Sequence, residues 1–434
     1  KFKTILTVFL ALICVSAGYA QKEWSNWYAG NGRMITFKNG APEFITDFIN
    51  PIPSIDEDIM NFYYLGGAGM SYSDRSTGEL KFIISGHWGF NKNYKVFPSL
   101  STLRGCDGKM TFHIIPFSSD PNKFYVVQFQ DITADLLQQE SGELQVRCPN
   151  AIGLGYSIID MTMDGGLGDF SEINNVVAGG LTGQMTLVRH ANGKDVWVVT
   201  HPYNTNKFLS FLFTDDGVQP AVESTIGPMI NGGFESSLGK LKASHDGKVL
   251  AGFAGSHNNQ PDNFQLFDFD NQSGSLSNYR TLPYNDFLNE IQFSPDNSKL
   301  YCLSYESIYQ FDLDAADIAL SFTQVVSMPK GSSYDMQLGP DGKIYVNRSF
   351  FIDGNGDMSP EYTGAIECPN LPQYACNFKP DALPNFNGFF PDLINDFIND
   401  SRAPLITKLD IGDDTAVCFG EFKIRAPEGW ESYR

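Results

Sequence analysis

At 434 residues the chain can hold one large β domain with an appendage, or two or three ordinary domains. Aromatic residues make up 14% of it, glycine fills 41 positions and only 18% of residues are charged, which argues against a disordered chain and for a turn-rich β protein. A formal charge of -20 repels nucleic acid and anionic lipid, and it also serves general solubility.

Residues 1–20 open on Lys1-Phe2-Lys3, run through an apolar stretch from Ile5 to Val15 and close on small residues at Gly18 and Ala20. That is the pattern of a secretory signal peptide. Cleavage is expected after Ala20, leaving Gln21 first and removing Lys1 and Lys3 from the charge balance. Cys14 follows Ile13, where a lipidation signal would carry a small residue. No later stretch approaches the roughly 18 apolar residues of a spanning helix, so no membrane span is expected in the mature chain.

From about Trp24 onward, a turn followed by a short aromatic and β-branched run recurs. A first unit is placed near Trp24 to Phe48. Ser76-Thr77-Gly78-Glu79 precedes Leu80–Ile84, and Asp120-Pro121-Asn122-Lys123 precedes Phe124–Val127. The signal sharpens at Ala191-Asn192-Gly193-Lys194 before Val196–Val199, and at His245-Asp246-Gly247-Lys248 before Val249–Ala251. It returns at Ser294–Lys299 before Leu300-Tyr301, and at Gly339–Lys343 before Ile344–Val346. The lysines at 194, 248, 299 and 343 are spaced by 54, 51 and 44 residues, a period that marks propeller blades. Asn-Gly and Asp-Gly supply the positive φ that closes a tight hairpin, and each unit continues into further strands such as Phe264–Asp270, Leu276–Leu282 and Ile308–Leu313. The prediction is an all-β fold, a β-propeller of seven blades over residues 21–397, with no long helix. Trp27 to Phe37 has a second reading, as the segment that completes the last blade and closes the ring.

Export permits disulfides. Cys368 and Cys376 flank a proline-containing loop that would gain from a staple, and they are expected to pair; Cys106 with Cys148 is the second candidate pair. Cys302, inside Leu300-Tyr301-Cys302-Leu303, reads as a small buried hydrophobe, and no cysteine spacing suggests zinc. Residues 398–434 read as a linker and the opening of a further domain, because Asp413–Gly420 looks like the first strand of a PKD or immunoglobulin-like fold and Cys418 would lack its partner. The chain is therefore expected to be a fragment of a longer protein.

Several of these segments resemble a large family of secreted propellers from Bacteroidota, associated with gliding motility and type IX secretion. They are Trp27–Gly32, Gly153–Asp169, His190–His201, Leu241–Ser244, Gln337–Val346 and Leu383–Phe390. The resemblance covers roughly residues 24 to 397. It implies a secreted or outer-membrane, cell-surface protein of a Gram-negative bacterium, with PKD or immunoglobulin-like repeats and a sorting domain downstream. It implies no particular reaction. Against the family pattern, Phe350 to Glu367 is an insertion where a shorter loop is expected.

No Gly-x-Ser-x-Gly elbow, His-Glu-x-x-His helix or phosphate-binding glycine loop occurs, so no catalytic residue is assigned. The favoured function is a binding or structural module whose partner is a glycan or a protein at the cell surface. Inter-blade loops and those between second and third strands supply its ligand-binding candidates: Tyr203, His257, Asn258, Tyr284, Asp286 and Tyr334. The same residue types are ordinary loop formers. The alternative is a lactonase-like hydrolase with a site in the propeller channel, since Phe293-Ser294-Pro295-Asp296 followed by Lys299-Leu300-Tyr301 resembles bacterial seven-bladed lactonases. That phrase makes a turn and a strand and carries no chemistry.

No cofactor is assigned, and calcium is the one metal with a candidate loop. Asp353, Asn355, Asp357 and Ser359 alternate as calcium ligands do, yet Met358 and Gly364 stand where a calcium loop carries glycine and glutamate. A plain surface turn explains the same residues. His190 and His201 flank the strand Val196–Thr200 at opposite ends, so they are expected to be structural and not a metal pair.

Overall fold

The computed structural model describes residues 22–28, 34–40, 42–45, 69–85, 88–99, 103–104, 112–131, 152–230, 239–253, 264–284, 288–304, 307–327, 333–348 and 362–383. Seven antiparallel sheets stand in a ring, a seven-bladed β-propeller. Blade 1 is Asn26–Tyr28, Met34–Thr36 and Glu43–Ile45 (β1–β3), and blade 2 is Gly69–Ser73, Leu80–Ser85 and Trp88–Asn91 (β4–β6). Blade 3 is Phe112–Pro116, Lys123–Asp131, Ile152–Asp160 and Asp169–Gly179 (β7–β10). Blade 4 is Leu181–Arg189, Val196–Pro202, Lys207–Thr214, Gly217–Val218 and Val222–Thr225 (β11–β15). Blade 5 is Lys240–Ala243, Val249–Phe253, Gln265–Asp270 and Ser275–Thr281 (β16–β19). Blade 6 is Glu290–Phe293, Lys299–Leu303, Ser307–Asp312 and Thr323–Ser327 (β20–β23), and blade 7 is Ser333–Leu338, Ile344–Arg348, Tyr362–Ile366 and Phe378–Leu383 (β24–β27). The first strands lie innermost: β1 touches β4, β4 touches β7, β11 touches β16, β16 touches β20 and β20 touches β24.

The second strands show why the sequence folds this way. Alternate side chains of a strand point to opposite faces of its sheet, and a blade has a neighbour on each face. In β12, Val196 and Val198 enter the core shared with blades 2 and 3, whereas Trp197 and Val199 enter the one shared with blade 5. In β21, Leu300 and Cys302 face blade 5, and Tyr301 and Leu303 face blade 7. Such strands read as unbroken apolar runs because both faces are buried.

The turns between the first and second strands of blades 5 and 6 share one hydrogen-bond pattern. In blade 5, Ser244 Oγ donates to Asp246 Oδ1 at 2.7 Å and accepts from Val249 N at 2.9 Å. In blade 6, Ser294 Oγ donates to Asp296 Oδ1 at 2.8 Å and accepts from Lys299 N at 2.8 Å. The left-handed position is Gly247 in the first (φ 66°) and Asn297 in the second (φ 63°), the residue types that tolerate it best.

The ring closes by packing. β2 pairs with β1 and β3 and belongs to no sheet of blade 7, so Trp27 to Phe37 does not complete the last blade. Trp27 instead meets the Tyr345 ring edge-on at 5.7 Å, with Phe37 4.7 Å from Trp27 and 5.7 Å from Tyr345.

Two expectations are corrected. The end of the supposed insertion is a blade strand, because Tyr362–Ile366 pairs with both β25 and β27. Cys376 is a free, buried thiol and does not bond to Cys368. The turn Gln373–Cys376 brings the two backbones together, with Cys368 N donating to Cys376 O at 2.9 Å, but the Cys376 thiol is turned toward the Tyr301 hydroxyl of blade 6. Cys302 is free and fully buried, as its apolar run suggested. Cys14, Cys106, Cys148, Cys418, residues 1–20 and residues 398–434 lie outside the described residues.

Candidate functional site

Antiparallel strands reverse at each turn, so first-to-second turns emerge on one face of the ring while second-to-third and inter-blade connections emerge on the other. On that loop face, Tyr203 sits half-buried in the connection between β12 and β13. Its N–H donates to Gly180 O at 2.8 Å, in the join between blades 3 and 4. Asn204 N donates to Ile230 O, and Ile230 N to Thr205 O, each at 3.0 Å, in the join between blades 4 and 5. Loops belonging to three blades are thus knitted together by backbone bonds.

The other candidates have different places. Tyr284 is 5% exposed, wedged in the core between blades 5 and 6 with ring centroids 5.5 Å from Tyr309 and 5.8 Å from Phe322. Tyr334, expected in a loop, belongs to the inner strand β24. His257, Asn258, Asp286 and the calcium candidates Asp353, Asn355, Asp357 and Ser359 lie outside the described residues. Among the described residues no three His, Cys, Asp or Glu side chains gather as a metal site, and no helix is long and apolar enough to cross a membrane.

The two histidines stand apart at opposite ends of β12. His190 accepts from Asn192 N at 3.0 Å through Nδ1, and its Nε2 lies 3.0 Å from Gln272 O. His201 is buried against the edge of the Phe208 ring, 4.7 Å between centroids, and loss of hydration pushes it down to about 4. Neither ring faces the other.

An ionic cluster that sequence reasoning missed lies between the inner strands of blades 5, 6 and 7. Glu290, 1% exposed, opens β20. Its Oε2 lies 2.9 Å from Lys240 Nζ and its Oε1 3.4 Å from Lys242 Nζ, both ammoniums coming from β16. Lys242 Nζ also donates to Gln292 Oε1 at 3.1 Å and to Met336 O of β24 at 3.4 Å. Burial works against the Glu290 anion, but the two ammoniums and the Ile291 N–H outweigh it and hold the carboxyl below its ordinary range. Lys242 was visible in the sequence as part of Leu241–Ser244, yet nothing local ties it to a glutamate in the next blade.

On the turn face, a cleft of about 760 Å³ opens where the first-to-second turns of blades 2, 3 and 4 meet. The Asp215 carboxylate braces one wall. It accepts from Ser118 N, Ser118 Oγ and Ser119 N, each at 2.7 Å, and so binds the blade 3 turn to blade 4.

No protein-family model matches the chain, and no curated protein matches it. Solved structures similar to it include the Dos1 propeller, at 14% identity over 75% of this chain and 74% of that one, with a TM-score of 0.36. TolB from Acinetobacter baumannii is similar at 10% identity over 78% and 73%, with a TM-score of 0.32. A putative 6-phosphogluconolactonase from Bacteroides fragilis is similar at 15% identity over 64% and 88%, with a TM-score of 0.31. The seven-bladed assignment rests on the strand topology of this chain itself.

Proposed function

We propose that the protein is an exported propeller that binds a glycan or a protein at the cell surface through its loop face, as the folded part of a longer surface protein of the Bacteroidota gliding and type IX secretion kind. The observation that carries this reading is the knitting of the β12–β13 loop into both neighbouring inter-blade joins, at Gly180 and Ile230. A platform fixed before its partner arrives loses little conformational entropy on binding, and Tyr203 offers it an amphipathic ring. The lactonase-like alternative would need an acid or base such as the Glu290 carboxyl between the inner strands. A general base works best with a pKa near the operating pH, whereas Glu290 is held ionised and occupied by Lys240 and Lys242, so that carboxyl is not poised to serve as one. The test is a glycan array and a surface-protein panel probed with the full chain: a specific binder whose affinity falls about tenfold in Tyr203→Ala is expected. Lactone hydrolysis that disappears in Glu290→Gln while the fold survives would overturn the reading.

A further inference from the structure

The turn-face cleft differs in charge from the rest of the molecule. Its floor is apolar, formed around Trp24, Tyr72, Phe117 and Phe124. Four cations line it, Arg75, Lys81, Arg189 and Lys194, against two carboxylates, Glu23 and Asp74, in a chain whose formal charge is -20. Both carboxylates are already engaged. Asp74 Oδ1 accepts from Ser76 N and Thr77 N at 3.0 Å each and from Ser76 Oγ at 2.6 Å, while its Oδ2 lies 3.6 Å from Lys81 Nζ. Glu23 Oε1 lies 3.9 Å from Arg75 Nε.

Lys194 occupies the repeat position that elsewhere braces a blade. In blade 6, Lys299 Nζ reaches Asp312 Oδ1 at 3.0 Å, and in blade 7, Lys343 Nζ reaches Glu367 Oε1 at 2.9 Å, each tying the turn to the third strand. Lys194 makes no ion pair among the described residues and stands exposed at the cleft mouth. Below it, Arg189 is 8% exposed and held by Nη1 donating to Gly193 O at 3.1 Å, so the guanidinium keeps one orientation. Lys81 Nζ hangs 5.7 Å from the centre of the Phe124 ring.

We propose that this cleft is a binding site for a small cyclic carboxylate, separate from the loop face, with the ring of the ligand on the apolar floor and its carboxylate at Lys194. The volume lies within the roughly 300–1,000 Å³ of small-molecule pockets, and mixed apolar and convergent cationic lining is what such a ligand needs. Acidic sugars and aromatic acids share this chemistry.

The test titrates the full chain with glucuronate and with benzoate, each beside a neutral twin, glucose and benzyl alcohol. At least one acid should bind at least about fivefold more tightly than its twin, the weight of a charge-assisted contact. Glucuronate alone would identify an acidic sugar, and benzoate alone an aromatic acid. Lys194→Gln should weaken binding about threefold and Lys194→Glu about tenfold, while Lys248→Glu, at the same turn position of blade 5, leaves it unchanged. Tyr203→Ala should also leave it unchanged, which separates this site from the loop face. The proposal fails if neither acid binds at about 10 mM, if the neutral twins bind as well, or if Lys248→Glu costs as much as Lys194→Glu.

Discussion

Replacing Glu290 with alanine removes the carboxylate that Lys240 and Lys242 share. Lys242, its side chain 9% exposed, would lose the Glu290 carboxylate from a set of partners that includes the neutral Gln292 Oε1 and Met336 O. Breaking a buried ion pair from one side costs about 3–5 kcal/mol, chiefly because the remaining charge stays out of water. Lys240 is 30% exposed and recovers hydration, so its share is about 0–1 kcal/mol. Urea unfolding of wild type, Glu290→Ala, Lys242→Met and the double variant should show a loss of about 3–5 kcal/mol in Glu290→Ala, most of it recovered in the double variant, because removing both charges removes the penalty. The pH dependence has a fixed sign. The folded pKa of Glu290 lies below its ordinary 4.5, so the stabilisation is complete above that value and is lost as pH falls through the depressed folded value. Glu290→Gln should therefore lose stability less steeply than wild type below about pH 4.5. A Glu290→Ala cost below about 1 kcal/mol would refute the claim that this cluster locks blades 5, 6 and 7 together.

His201 has a folded pKa of about 4 against 6.5 in the open chain, so its contribution is complete above 6.5 and is lost as pH falls toward 4. His201→Phe should flatten that part of the stability–pH curve by up to about 3 kcal/mol, read from urea midpoints at several pH values. Asp215→Ala removes the carboxylate bridging blades 3 and 4; a loss of about 1–2 kcal/mol and faster amide exchange at Ser118 and Ser119 are expected by hydrogen-exchange mass spectrometry. Trp27→Ala should cost about 3–5 kcal/mol in urea unfolding, because it empties the centre of the packed seam that joins blade 1 to blade 7. Cys302 and Cys376 should resist iodoacetamide until the protein unfolds, since burial raises both thiols, Cys376 to about 11.

The blade count was legible in the sequence because a blade is built from local instructions. Gly247 or Asn297 at a left-handed turn position, followed by a run such as Leu300-Tyr301-Cys302-Leu303, specifies a hairpin within a dozen residues, and its repetition specifies the ring. The opposite-end placement of His190 and His201 followed from the same logic, since a single strand separates them. What the sequence could not specify is which side chains meet across blades. Glu290 and Lys242 are joined only once β16 and β20 stand side by side around the axis. Tyr284 looked like a loop aromatic, but the gap between blades 5 and 6 must be filled, and its ring fills it with Tyr309 and Phe322. Cys376 has a cysteine neighbour in the same loop, yet the packing of that loop on blade 6 turns its thiol to Tyr301. The cleft on the turn face is likewise assembled from three blades whose turns share a motif and differ in charge. Hydrogen bonds within a hairpin are decided by neighbours in the chain, whereas burial and ion pairing between blades are decided by the closure of the ring.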